Sequence, residues 1–154
     1  AYEYDHLCEL SSPDYHFFNN CPLKLNNEVG FVLFSILCSI NYCIVFVEKY
    51  ITEEIPQKFK FCYLMYYYLC DFILDLNKET GLNLFLNSDL KKRELRNCLA
   101  HYGLGQYIKN SDIVQSDVLK GLTIKAFKKD YFEVKEELYK FMNELADQIK
   151  RIIF

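Results

Sequence analysis

The sequence predicts an all-α protein, an antiparallel bundle of four to five helices. Apolar residues recur at helical spacing through several long segments, while no stretch alternates apolar and polar residues as a half-buried strand would. Residues that start and stop helices stand where those segments begin and end. The 154 residues are 51% hydrophobic, enough to build one sizeable core, so a single domain is expected.

Residues 1–25 lack a sustained period and contain Pro13, Pro22 and the pair Asn19 and Asn20, which reads as an irregular arm ahead of a helical domain over 26–154. Asn26 or Asn27 can cap a first helix running to about Tyr50, with Glu28 in its first turn. Val29 to Val47 carries no charge over nearly the length of a membrane span. Ser35, Ser39 and Tyr42 nevertheless form a mildly polar stripe and the flanks are acidic, so a buried core or interface helix is expected instead of a span. Pro56 suits the first turn of a second helix, which passes through the aromatic block Phe59 to Tyr68 and stops at Gly81. Asp71 and Asp75 share a face of it and read as a solvated stripe.

Ser88 can cap a third helix that Gly103 and Gly105 would end just after His101. A short helix is expected between Ser116 and Lys129. Asp130 and Glu133 form a capping-box pattern at the start of the last helix, on which Val134, Leu138, Phe141, Leu145, Ile149 and Ile152 follow one stripe. Glu136 with Lys140 and Asp147 with Arg151 are spaced to support it.

The core must be aromatic, since the chain has 13 Phe and 13 Tyr but no Trp, and some tyrosines are expected at an interface. The seven cysteines are odd in number, contain no CxxC pair and mostly sit in apolar runs. That usage suits a reducing, cytoplasmic setting, and no secretory signal pattern is present. His6, Cys8, His16 and Cys21 match no standard zinc spacing, so no metal or other cofactor is expected. A net charge of −3 excludes a protein that grips nucleic acid over its whole surface. Any such contact must be local, and positive charge does gather at Lys91, Lys92, Arg93 and Arg96, and again at Lys120, Lys125, Lys128 and Lys129.

On the third helix Arg93, Asn97 and His101 stand at i, i+4 and i+8 and form a polar face ending at the helix terminus. Arg96 stands five residues before His101, off that line, although a long side chain at a frayed last turn can reach back. A bland alternative is a surface ion pair for Arg96 and a dipole contact for His101.

The run Leu95-Arg96-Asn97-Cys98-Leu99-Ala100-His101-Tyr102, near a helix end in an all-α chain, resembles the Arg-x4-6-His motif of the HEPN superfamily. Arg96, Asn97 and His101 match its three polar positions. The resemblance in fold class and helix order spans residues 27–154, and the specific signal lies in this octapeptide. It implies a metal-independent endoribonuclease, a toxin or defence component, that works as a homodimer with two motifs facing each other. Arg96 and His101 would be catalytic, with Asn97 orienting phosphate or ring. Lys92 and Arg93 would contact RNA, and an antitoxin protein would be a further partner. Toxins paired with nucleotidyltransferase antitoxins often carry Tyr two places after the His; here Gly103 holds that place and Tyr102 comes one residue early, beside the site. The alternative is a non-catalytic module of the same architecture that binds a nucleotide, RNA or protein. No membrane partner is expected in either case, and a membrane-anchored helical protein is a third reading that rests on the first helix alone.

Overall fold

Asn26 caps the first helix with its side chain, Oδ1 accepting the Glu28 N–H at 2.8 Å, and from there the chain stays helical to Tyr50 in the computed structural model. That structure describes residues 26–101, 107–114 and 117–154. The arm 1–25, with its His6, Cys8, His16 and Cys21, and also Tyr102, Gly103, Gly105 and Ser116, lie outside the described residues.

The described residues form an all-α bundle. Helix α1 (Asn27–Asn41) continues without a break through a wide π turn (Tyr42–Val47) and a last turn (Glu48–Tyr50). Helix α2 (Pro56–Thr80) has Pro at its first turn and ends on Gly81, whose φ of 74° is the left-handed conformation that glycine adopts without steric cost. Helix α3 (Arg93–Ala100) is short, and α4 (Val118–Phe127) and α5 (Tyr131–Ile153) complete the order. A single isolated bridge, Val114 to Asp117, is the only extended pairing among the described residues.

Leu33, Leu37, Ile40 and Ile44 of the first helix, Phe59, Tyr63, Tyr66 and Ile73 of α2, and Val134, Leu138, Leu145 and Ile149 of α5 share one core. The stripe expected on α5 is the buried one, except that Ile153 is buried at its end and Ile152 only partly so. Its charged pairs differ from expectation. Asp147 meets Lys150 one turn along, not Arg151, and Lys140 makes no ion pair among the described residues. The capping box also fails: Asp130 occupies the cap position without a side-chain bond. Its carboxylate lies 3.8 Å from Lys120 instead.

Ser88 does not cap α3, which starts at Arg93, several residues later than that cap would place it. The amides that a first turn would leave free are already taken. Asp89 N–H donates to Asn87 Oδ1, Leu90 N–H to the Tyr66 hydroxyl, and Lys92 N–H to the Tyr63 hydroxyl. The two buried tyrosines also donate, Tyr66 to the Asn87 carbonyl at 2.7 Å and Tyr63 to the Leu90 carbonyl at 2.9 Å. Burying a phenol without a partner would be costly, so these bonds meet the need of ring and connection together. Asn77 grips Leu84 through N–H and carbonyl, and Gln148 does the same to Phe85, which fixes the rest of the segment.

At α4, Asp117 caps by accepting the Lys120 N–H at 3.0 Å. Gly121 is buried with its Cα turned toward the backbone of Asp112, and an added Cβ would fall inside contact distance of that carbonyl oxygen. Gly121→Ala is therefore expected to cost about 1–3 kcal/mol through overpacking against backbone that cannot swing aside. Urea unfolding of the variant checks this, and a shift below a few tenths of a kcal/mol would contradict the close approach.

Candidate functional site

Helix α3 buries Leu95, Cys98 and Leu99, which puts Arg93, Asn97 and His101 together on its opposite, more open face. His101 is the C-cap residue; its N–H donates to the Asn97 carbonyl at 3.0 Å and its imidazole stands in solvent. Lys92, immediately before the helix, is exposed as well.

Arg96 is turned toward α2. Its guanidinium carbon sits 5.3 Å from the centre of the Tyr67 ring and 5.8 Å from that of Tyr68, within the range of cation–π attraction. The Nε atom is enclosed with no hydrogen-bond partner, and no carboxylate pairs with the group among the described residues. Among the described residues Arg96 therefore packs on aromatic rings and makes no ion pair, unlike the bland reading. Lys91 flanks the same Tyr67 ring at 5.1 Å, but its charge is taken up by Asp71 at 2.5 Å, whose hydrogen bond pushes the ammonium pKa upward. Asp75 is likewise held by Lys78. Both carboxylates are exposed, as the solvated-stripe reading expects.

Among the described residues, the charge left uncommitted near the motif is thus Lys92, Arg93 and Arg96. Comparison with family models, curated proteins and solved structures finds no match to the chain.

Arg96 and His101 are not joined by a hydrogen bond among the described residues. Five residues along an ideal helix turn a side chain by about 140°, which accounts for the guanidinium lying on α2 while the imidazole faces outward. Tyr67 and Tyr68, which hold Arg96 in place, diverge as the sequence implies for neighbours on a helix: Tyr67 is buried and Tyr68 is 55% exposed. Their role as a platform for Arg96 has no signal in sequence, because it depends on how α2 and α3 are set against each other.

A second ionisable cluster went unforeseen. Glu48 at the end of the first helix, Glu54 in the following connection, Lys58 on α2, and Tyr131, Lys135 and Tyr139 on α5 converge at one end of the bundle. Lys58 reaches Glu48 at 2.9 Å and Glu54 at 3.1 Å, and Lys135 reaches the same two carboxylates at 2.6 and 2.5 Å. Tyr139 donates to Glu48 and Tyr131 to Glu54. Burial alone would raise the Glu48 carboxyl, but the bonds from Lys135, Lys58 and Tyr139 outweigh it and bring the pKa down to about 2. Glu54 is lowered in the same way. Two anions balance two cations with all partners in reach, and this completeness marks a structural fastening rather than a reactive centre. A faint signal existed, since Glu48 continues the Ile40 and Ile44 stripe and Lys58 precedes buried Cys62 by one turn.

Among the described residues no group of His, Cys, Asp and Glu is placed to hold a metal. The described cysteines are free thiols, and burial raises the pKa of Cys98 beside the motif, which disfavours a thiolate there. The segment Glu28–Tyr50 is long and apolar enough to cross a membrane by composition, while Leu33, Leu37, Ile40 and Ile44 on it belong to the shared core.

Proposed function

We propose that the chain is a metal-independent endoribonuclease of HEPN type, a cytoplasmic toxin or defence component that acts as a homodimer and is restrained by an antitoxin protein. The observation that carries this reading is Arg96, a cation held on aromatic faces with an unsatisfied Nε–H and no carboxylate to neutralise it among the described residues. The enclosed Nε itself is out of reach of a ligand, but a guanidinium with no carboxylate beside it keeps its charge for an anion, and its planar fork of donors suits phosphate.

In the reaction a ribose 2′-OH attacks the adjacent phosphorus and the 5′-oxygen of the next nucleotide leaves, giving a 2′,3′-cyclic phosphate. An imidazole exchanges protons near neutral pH, so His101 either takes the proton from the 2′-OH or supplies one to the leaving oxygen. Arg96 offsets the charge that builds on the phosphoryl oxygens. Asn97, on the His101 face, orients phosphate or ring, and Lys92 and Arg93 hold flanking phosphates.

The separation of Arg96 from His101 within one copy suits a composite site completed by a second copy. Exposed apolar side chains support a surface for that copy. Phe31, Cys38 and Tyr42 on the first helix and Phe61, Tyr68 and Phe72 on α2 are exposed at helical spacing, and Cys38, Tyr42, Phe61 and Met65 line a shallow groove of about 410 Å³ between the two helices. Exposed apolar area on neighbouring helices supports this face as the interface. Because Tyr68 belongs both to this face and to the Arg96 platform, a partner copy seated here would reach the motif. Phe61→Glu is expected to shift the protein from dimer to monomer in analytical ultracentrifugation and to lower cleavage at least tenfold; an unchanged sedimentation coefficient would place the interface elsewhere.

The deciding experiment is cleavage of single-stranded RNA by the purified protein in EDTA, beside His101→Ala. Equal activity in both, or loss of activity on chelation, overturns the mechanism. A second reading, a non-catalytic module that binds a nucleotide, RNA or protein, is favoured by the net charge of −3 and by Gly103 standing where paired toxins carry Tyr. RNA binding without turnover in the same assay selects it.

A further inference from the structure

We propose that the cleft between the 87–92 connection, the turn joining α4 to α5, and the face of α5 binds the phosphoryl groups of a nucleotide or an RNA strand through Lys92, Lys128 and Lys140. The cleft has a volume of about 660 Å³, and none of Arg96, Asn97 and His101 lines it. That size suits a nucleotide or a short stretch of a strand.

Charge decides the class of ligand. Lys92, Lys128, Lys129 and Lys140 line the cleft together with Asp89 and Glu137. Lys129 is spent on Glu137 at 2.5 Å. Lys92, Lys128 and Lys140 form no ion pair among the described residues, so three free ammonium groups face a single remaining carboxylate, Asp89. Like charges on a surface repel, and three of them carried by three separate elements into one concavity focus a positive potential there. Phe127 and Phe141 add apolar wall, which gives a base or ribose something to pack on.

The mounts are firm. Lys92 is held at its amide and its carbonyl by the Tyr63 hydroxyl, at 3.0 and 3.3 Å. Lys140 rises from α5. Lys128 ends α4 in the left-handed conformation, φ 59°, the only non-glycine residue with positive φ among those described. Helices that end this way usually place Gly there, because a Cβ is strained in that region. A lysine at such a position costs stability for the fold and makes sense if its charge is used.

This inference shares Lys92 with the ribonuclease reading but stands on Lys128 and Lys140 and does not require that reading, so it is tested in the His101→Ala background, where the probe stays intact whether or not the chain is a nuclease. The probes are ATP, followed by calorimetry, and a fluorescein-labelled uridine dodecamer, followed by anisotropy, both in EDTA. Lys128→Gln with Lys140→Gln should weaken at least one probe tenfold or more and lower the salt dependence by roughly two phosphate contacts. Loss confined to ATP identifies a nucleotide site, and loss confined to the dodecamer a strand track. Lys128→Gly should leave thermal stability equal or higher yet weaken the same probe about threefold or more, a combination that a structural lysine would not produce. Lys78→Gln with Lys150→Gln removes the same charge outside the cleft and should stay within twofold. No binding of either probe to the His101→Ala protein, unchanged binding in the Lys128 and Lys140 variant, or equal loss in the control overturns the assignment.

Discussion

Lys58→Met is expected to lower the stability of the fold by about 3–5 kcal/mol, as when one partner is removed from a buried ion pair. The Lys58 side chain is 2% exposed and serves both Glu48 and Glu54. Without it two carboxylates share Lys135 alone, and a net negative charge stays in a partly buried site. Methionine keeps most of the volume, so the loss reads charge rather than a cavity. Urea unfolding measures it. A loss under about 1 kcal/mol would mean that Lys135 suffices for both carboxylates. Glu48→Gln combined with Lys58→Met should recover part of the loss, because the double variant removes a charge of each sign.

The same cluster predicts an acid response with a definite sign. The Glu48 carboxyl titrates at about 2 in the fold against a usual 4.5, so its contribution is complete above about 4.5 and fades as the pH falls toward 2. Glu54, also lowered, acts in the same direction. The urea midpoint should therefore fall as the pH drops from about 5 to about 2.5, and fall less steeply in Glu48→Gln. Equal slopes in the two proteins would contradict the pairing.

His101→Ala is expected to lower RNA cleavage by about 10²–10⁴-fold, the range over which a positioned general acid or base contributes. Since the imidazole is exposed, stability should change by less than about 0.5 kcal/mol, so lost activity cannot be blamed on unfolding. Arg96 should behave differently. Arg96→Ala is expected to cost about 10²–10³-fold in turnover, and also about 0.5–2 kcal/mol in stability, because its side chain packs on Tyr67 and Tyr68. Arg96→Lys keeps the charge but not the planar fork, and should restore stability more fully than cleavage. Turnover in His101→Ala equal to the parent's would end the catalytic reading, whatever Arg96 does.

Several elements were legible because their signals are local. Asn26, Pro56 and Gly81 bound the first two helices by backbone chemistry that acts within a turn, and the stripe from Val134 to Ile149 declares the last helix by period alone. The polar face of Arg93, Asn97 and His101 arises from the same period once a helix is granted. The first turn of the expected third helix was lost to contacts no local rule contains. Tyr63 and Tyr66, more than twenty positions earlier, supply the hydroxyls that hold residues 87–92 out of the helix.

The order of residues by itself determines the all-α class, the long helices and the presence of an Arg-x4-His run at a helix end. Each of these depends on residues within a few turns of one another. The packing of the bundle settled the rest: that Arg96 lies on Tyr67 and Tyr68 away from His101, that Lys58 is buried between two glutamates, and that three lysines from three elements meet at one cleft. Those placements join residues that stand far apart along the chain. Their energies come from desolvation and pairing, which exist only once the helices are brought together.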